Sequence, residues 1–156
     1  MSEKDKIEKT VNIKNKRASF EYQFLDTYTA GVVLRGTEIK SIRQQKVNMQ
    51  DAYCYVDEGE NAIYIKNMHI SHYGNGTWLN HDPMRERKLL LKKKEVIKIG
   101  KKLDDQGITL IPIRLFISDR GFVKIEIAVA KGKKLYDKRE DMKEKDAKRE
   151  MDKIKF

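Results

Sequence analysis

ITLIPIRLFISDRGFVKIEIAVAKG, residues 108–132, is the stretch that decides the fold. Its apolar residues recur at every second position. Ile111, Ile113, Leu115 and Ile117 read as one face of a strand, and Val123, Ile125, Ile127 and Val129 as one face of the next. That period is the mark of a half-buried strand. Asp119-Arg120-Gly121 between them is hairpin-turn material.

Working outward, residues 51–56 and 62–68 read as a second hairpin. Tyr53, Tyr55 and Val56 face Ile63, Tyr64 and Ile65 across a turn made of residues 57–61, DEGEN. Over residues 11–34, Val11, Ile13, Phe20, Tyr22, Phe24, Val32 and Leu34 alternate with polar residues, and Asp26, Thr27 and Gly31 serve as turn positions. Helical signals lie between these runs. Thr37 as cap, Glu38 in the first turn, and Ile39 and Ile42 on one side predict a helix over about 37–45. Asp82-Pro83 reads as a helix start, continuing through Leu89, Leu90 and Leu91 to Val96, Ile99 and Leu103, with Gly107 at the end. Lys92-Lys93-Lys94 leaves open whether this is one helix or two. Strand runs at both ends around a helical segment suit a mainly β fold: a small, closed or nearly closed antiparallel barrel with flanking helices. An α+β sandwich fits the same pattern.

The chain divides into a flexible arm over residues 1–10, a barrel over 11–131 and a basic tail over 132–156. The tail, GKKLYDKREDMKEKDAKREMDKIKF, has few large apolar residues and dense alternating charge. It cannot bury enough to fold alone, yet it is rich in helix formers. It is expected to be disordered when free and helical once seated on a surface.

The 156 residues carry 34 Lys and Arg against 24 Asp and Glu, a formal charge of +10. That excess favours an anionic partner. Cys54 is the only cysteine, so an internal disulfide framework is excluded, and its apolar setting reads as a small buried hydrophobe. A charged N-terminus without an apolar core carries no secretory signal, and no apolar run approaches the length of a membrane span. A cytoplasmic location is expected. The tail lacks the bulky apolar stripe of a membrane-surface helix.

Catalysis finds no support. His69, His72 and His81 have no metal-ligand spacing, and no phosphate-cradling glycine motif or nucleophile elbow is present. No metal, cofactor or enzymatic activity is expected. The basic residues are more informative. Lys16 and Arg17 follow Asn15 near the first strand, and Lys40 and Arg43 share a helix face. Lys131, Lys133 and Lys134 end the last strand. With tyrosines and a tryptophan between them, these clusters suggest a surface for phosphates with stacking platforms. Glu38 has two readings: a helix-start acid, or an acceptor for base amino groups or a ribose hydroxyl.

Several strings then combine in order: NKRA over 15–18, AGVVL over 30–34, GTEIKSIR over 36–43, HDPMRERKLLL over 81–91 and GKKLYDKR over 132–139. Together they closely resemble the SsrA-binding protein family, SmpB, from about residue 12 to the end. The resemblance implies an oligonucleotide-binding-type barrel that grips the tRNA-like domain of transfer-messenger RNA. It implies delivery to stalled ribosomes by elongation factor Tu with GTP, and a tail that enters the decoding region and mRNA channel. The outcome implied is trans-translation: ribosome rescue and tagging of the incomplete peptide for degradation. Asn15, Glu38, Lys40 and Arg43 fall on strings linked to the RNA-gripping face, and Lys131, Lys133 and Lys134 sit at the base of the tail. Asp137, Lys138, Arg139 and Lys143 match the tail segment that engages the ribosome. Tyr136 stands where some relatives carry histidine, keeping an aromatic ring. The chain is expected to act as a monomer.

Overall fold

The computed structural model describes residues 11–74, 79–133 and 135–154, leaving aside the side chains of 135–137 and 152–154. Its strands are β1 (Asn12–Lys14), β2 (Tyr22–Val32), β3 (Val47–Asn48), β4 (Tyr53–Asp57), β5 (Ala62–Lys66), β6 (His69–Ile70), β7 (Arg87–Leu90), β8 (Ile108–Ile117) and β9 (Val123–Gly132). The helices are α1 (Lys16–Glu21), α2 (Gly36–Arg43), α3 (Lys93–Leu103) and α4 (Leu135–Ile154).

The main sheet closes on itself. Its order runs β8-β4-β5-β7-β2-β9, and β9 pairs back onto β8, while β1 lies beside the other half of β8. All these pairings are antiparallel. Closure removes the free edges that would otherwise invite aggregation. This ring is the expected oligonucleotide-binding-type barrel, and it decides against the α+β sandwich. A second, two-stranded sheet joins β3 to β6. The barrel interior is filled by Ile63, Ile65, Leu89, Leu115, Ile125 and Ile127, with Ile42 of α2 and Ile99 of α3 plugging it.

The β8–β9 hairpin forms as read, with Gly121 at φ +87 in its turn. One detail differs. A bulge between Pro112 and Arg114 splits the expected face of β8. Leu110 and Leu115 enter the barrel core, whereas Ile111 and Ile113 join Ala18 and Ala130 in a separate cluster under α1. Pro112 has no N–H to give the ladder, which is why the irregularity sits there.

Two larger readings are corrected. Residues 16–21 form a helix, and β2 then runs unbroken through Asp26, Thr27 and Gly31, with a bulge between Phe24 and Asp26 instead of a turn. Ladder bonds to β9 on one side and β7 on the other override the turn propensity of those residues. Residues 82–91 are not helical. Asp82 opens a tight turn, accepting from Met84 N, and Arg87–Leu90 is a strand between β5 and β2. Only α3 is helical, starting at Lys93, and Val96 and Ile99 are buried on it as the spacing predicts.

The tail takes the helical form that its composition favours. Leu135–Ile154 is one helix in the single chain. Helix-forming composition suffices for that, and its start is tethered to the body. Lys133 pairs with Asp141 and donates to the Ser19 carbonyl at 3.1 Å. Lys145 Nζ lies 5.7 Å from the centre of the Phe20 ring.

Candidate nucleic-acid interface

The basic residues fall into two groups. The first surrounds α1. Asn15 caps this helix, its Oδ1 accepting from Ala18 N at 3.2 Å. Its Nδ2 donates to the carbonyls of Met49 (3.1 Å) and Pro112 (2.9 Å). With 5% exposure and three side-chain hydrogen bonds inside the protein, Asn15 has a structural role in holding α1. The Met49 carbonyl also accepts from Ala52 N at 3.0 Å, so Asn15 ties the 49–52 turn and β8 to the start of α1.

Lys16 and Arg17, by contrast, are exposed. Arg17 forks to Glu21 (3.0 Å) and Asp51 (3.1 Å). Its hydrogen bond to Glu21, with the nearby carboxylates, raises its pKa further. Solvent-exposed pairs of this kind are weak, so a phosphate can take over the guanidinium. Lys131 is exposed next to them, because β2–β9 pairing sets Gln23 opposite Lys131 and Tyr22 opposite Gly132. Lys133 N donates to Glu21 O at 2.8 Å, closing the cluster. Lys14, Lys16 and Arg17 line a concavity of about 290 Å³, roomy enough for a sugar-phosphate unit. Lys134 lies outside the described residues.

The second group is built on α2. Lys40 and Arg43 are exposed on one side of it. Lys40 Nζ stands 5.2 Å from the centre of the Tyr73 ring, a cation–π distance. On the other side of the helix, Glu38 faces inward and is fully buried. It receives the Arg35 backbone N–H at 2.8 Å and forms ion pairs with Arg85 and with Arg87, itself 0% exposed. Arg87 also donates to Met68 O at 2.7 Å and Pro83 O at 3.2 Å. Burial alone would push the Glu38 pKa up; hydrogen bonds from Arg85, the Arg35 N–H and Arg87 outweigh it and hold the carboxyl below its ordinary range. Burial draws the Arg87 pKa down and Glu38 opposes this; the guanidinium stays protonated. Of the two readings of Glu38, the helix-start acid is the one the geometry supports, with Arg35 and not Thr37 as the cap residue. An acid wrapped by two arginines inside the fold cannot meet a base edge.

Three residues escaped the sequence reading. In the sequence, Arg87 stands only inside the HDPMRERKLLL string, and His81 only as a histidine without metal-ligand spacing. The missed signal was the alternation in 87–90, where Arg87 and Leu89 are buried and Lys88 and Leu90 exposed. His81 is 1% exposed, bonded to Thr37 and Ile70. Tyr73 had no motif at all.

Of the expected ribosome-engaging residues, Lys138, Arg139 and Lys143 lie on α4, the last two exposed. Tyr136 and Asp137 belong to the same helix, their side chains outside the described residues. Among the described residues, no cluster of His, Cys, Asp or Glu could hold a metal ion, and no helix is long and apolar enough to cross a membrane.

The model of the SmpB protein family matches residues 12–155. The chain belongs to the SmpB family. The SsrA-binding protein of Cytophaga hutchinsonii is 56% identical over 156 residues, covering all of both chains. That of Phocaeicola vulgatus is 57% identical, over 92% of this chain and 95% of the relative. A chain of the solved structure "tmRNA-SmpB: a journey to the center of the bacterial ribosome" aligns with a TM-score of 0.68 and 37% identity, covering 81% of this chain and 87% of that one. The SmpB match takes in the barrel, both basic groups and the whole of α4.

Proposed function

We propose that this chain is an SsrA-binding protein: it binds the tRNA-like domain of transfer-messenger RNA and takes part in its action on stalled ribosomes. SmpB proteins are RNA-binding proteins, not enzymes, and the chain needs no chemistry of its own. The observation that carries the reading is the family match over residues 12–155, which spans body and tail alike.

The exposed cations and the family strings support the following roles. Lys16, Arg17, Lys131 and Lys133 form one phosphate-binding group, Lys40 with Arg43 a second, and Lys134 joins the first by its place in the GKKLYDKR string. An RNA fold that touches both is read by shape, through phosphates and 2′-hydroxyls. Asn15 and Glu38 act from behind, one capping α1 and the other anchoring α2. Tyr136, Asp137, Lys138, Arg139 and Lys143 form the part of α4 that engages the ribosome, in the decoding region and mRNA channel. Its helix is charged along its length and lightly tethered, so it can leave α1 for a ribosomal RNA surface. Delivery by elongation factor Tu with GTP, action as a monomer and a cytoplasmic location complete the proposal.

The test is to purify the native protein and sequence the RNA that comes with it. Enrichment of transfer-messenger RNA is the expected result. Recovery of ribosomal RNA alone would point instead to a ribosomal or ribosome-assembly protein.

A further inference from the structure

The buried histidine offers an inference that rests on the function just proposed and adds to it a positioning device. His81 sits at the neck of a loop that leaves β6 and returns at residue 80. Its Nε2 is 2.8 Å from the Ile70 carbonyl oxygen and its Nδ1 is 2.8 Å from Thr37 Oγ. A carbonyl can only accept, so Nε2 carries the proton; in the neutral ring Nδ1 then accepts from the threonine hydroxyl. One ring thus joins the first turn of α2 to the end of β6.

The neck is built around this bond. Asn80 grips the backbone of Tyr73 from both sides, accepting from its N–H at 3.3 Å and donating to its carbonyl at 2.9 Å. Ser41 of α2 donates to Ser71 O at 2.7 Å. Lys40 projects from α2 over the Tyr73 ring that this neck holds. Glu38 secures α2 against β7, and among the described residues the carbonyls that accept from that ion cluster are those of Val33, Met68, Asp82 and Pro83, to either side of the neck.

We propose that the Thr37–His81–Ile70 bridge sets the placement of α2 relative to the Tyr73 loop, and so the placement of the Lys40 and Arg43 cations that meet RNA phosphates. His81 and Thr37 are positioning residues; neither touches the RNA. His81 is buried, and the hydroxyl of Thr37 is turned toward it.

Thr37→Val tests this with little change of shape: both side chains are β-branched and of similar helix propensity. Thr37→Ser restores the hydroxyl. Equilibrium binding to a transcript of the tRNA-like domain is measured over a range of salt, with thermal unfolding alongside. Expected for Thr37→Val is an affinity loss of about five- to tenfold, the scale of one lost hydrogen bond. The salt slope should shrink by about 0.7–0.9, one phosphate contact. Thr37→Ser should bind within about twofold of wild type with the wild-type slope.

His81→Gln keeps a donor toward Ile70 but loses the link to Thr37. It should reproduce the Thr37→Val defect, and the double variant should be no worse than either single one. Wild-type affinity and slope in Thr37→Val overturn the proposal. So does a loss that comes with a lower melting temperature and an unchanged slope, which marks mere support of folding. Additive losses in the double variant also overturn it. If wild-type protein shows no preference for the tRNA-like transcript over random duplex, the proposed function fails. The slope difference between Thr37→Val and Thr37→Ser, read on that duplex, still judges the bridge.

Discussion

At the scale of single residues, the most consequential group is Glu38. It carries a charge into the interior only because Arg85 and Arg87 meet it there. Removing one partner of such a cluster strands the others, at a cost of about 3–5 kcal/mol. Glu38→Gln should therefore lower the melting temperature by roughly 10–20 °C, measured by circular dichroism. RNA affinity per folded molecule should change much less. A normal melting temperature with selective loss of RNA binding would restore the carboxylate to the RNA interface. The pH dependence follows from the same cluster. The Glu38 carboxyl is held below its ordinary value of 4.5 in the folded state, so its contribution is complete above that pH. It is lost as the pH falls through the lowered folded value. Wild-type stability should drop in that acid range, and Glu38→Gln should show a shallower fall.

At the scale of elements, α1 and α4 show how little holds a short or polar helix. α1 has six residues, too few to be stable alone. It persists because Asn15 caps it and Ala18 packs with Ile111 and Ala130 beneath it. Asn15→Ala should cost about 1–2 kcal/mol for the cap, and more for the lost bonds to the Met49 and Pro112 carbonyls, measured by urea unfolding. Asn15→Asp, which keeps the acceptor but not the donors, should fall between. α4 is the opposite case: 20 residues long, but with exposed Met142, Lys143 and Met151, and held among the described residues by Lys133–Asp141 and Lys145–Phe20. Such a helix opens at almost no free-energy cost. Its amides should exchange with solvent orders of magnitude faster than those of β8 and β9. Protection equal to the barrel's would make α4 a fixed part of the body.

At the scale of the whole molecule, a closed barrel with two basic groups and a separate, densely charged helix predicts two separable activities. A chain ending at Lys134 keeps every barrel strand and both basic groups and should retain affinity for transfer-messenger RNA while losing peptide tagging on stalled ribosomes. Normal tagging by that truncated chain would undo the division of labour. If the body engages roughly five phosphates, log K against log salt should have a slope of about −3.5 to −4.5. A slope near zero would mean that the cations are not what holds the RNA.

The sequence by itself determined the mainly β body, the two hairpins, the helix carrying Lys40 and Arg43, and the family. Each is written in local periodicity or in contiguous strings such as GTEIKSIR. It did not determine which polar residues turn inward. Arg87 and His81 read as surface groups, and Asn15 and Glu38 as ligand contacts, because polarity along a chain predicts exposure unless a distant partner compensates. Those partners come from residues 34 to 97 positions away in the case of Asn15, and 47 and 49 away in the case of Glu38. Nor could the chain reveal that 87–90 is strand and not helix, since pairing with β5 and β2 supplies the hydrogen bonds that settle it. Burial of a charge is a property of the assembled fold, and only the tertiary structure brings its counter-charge within reach.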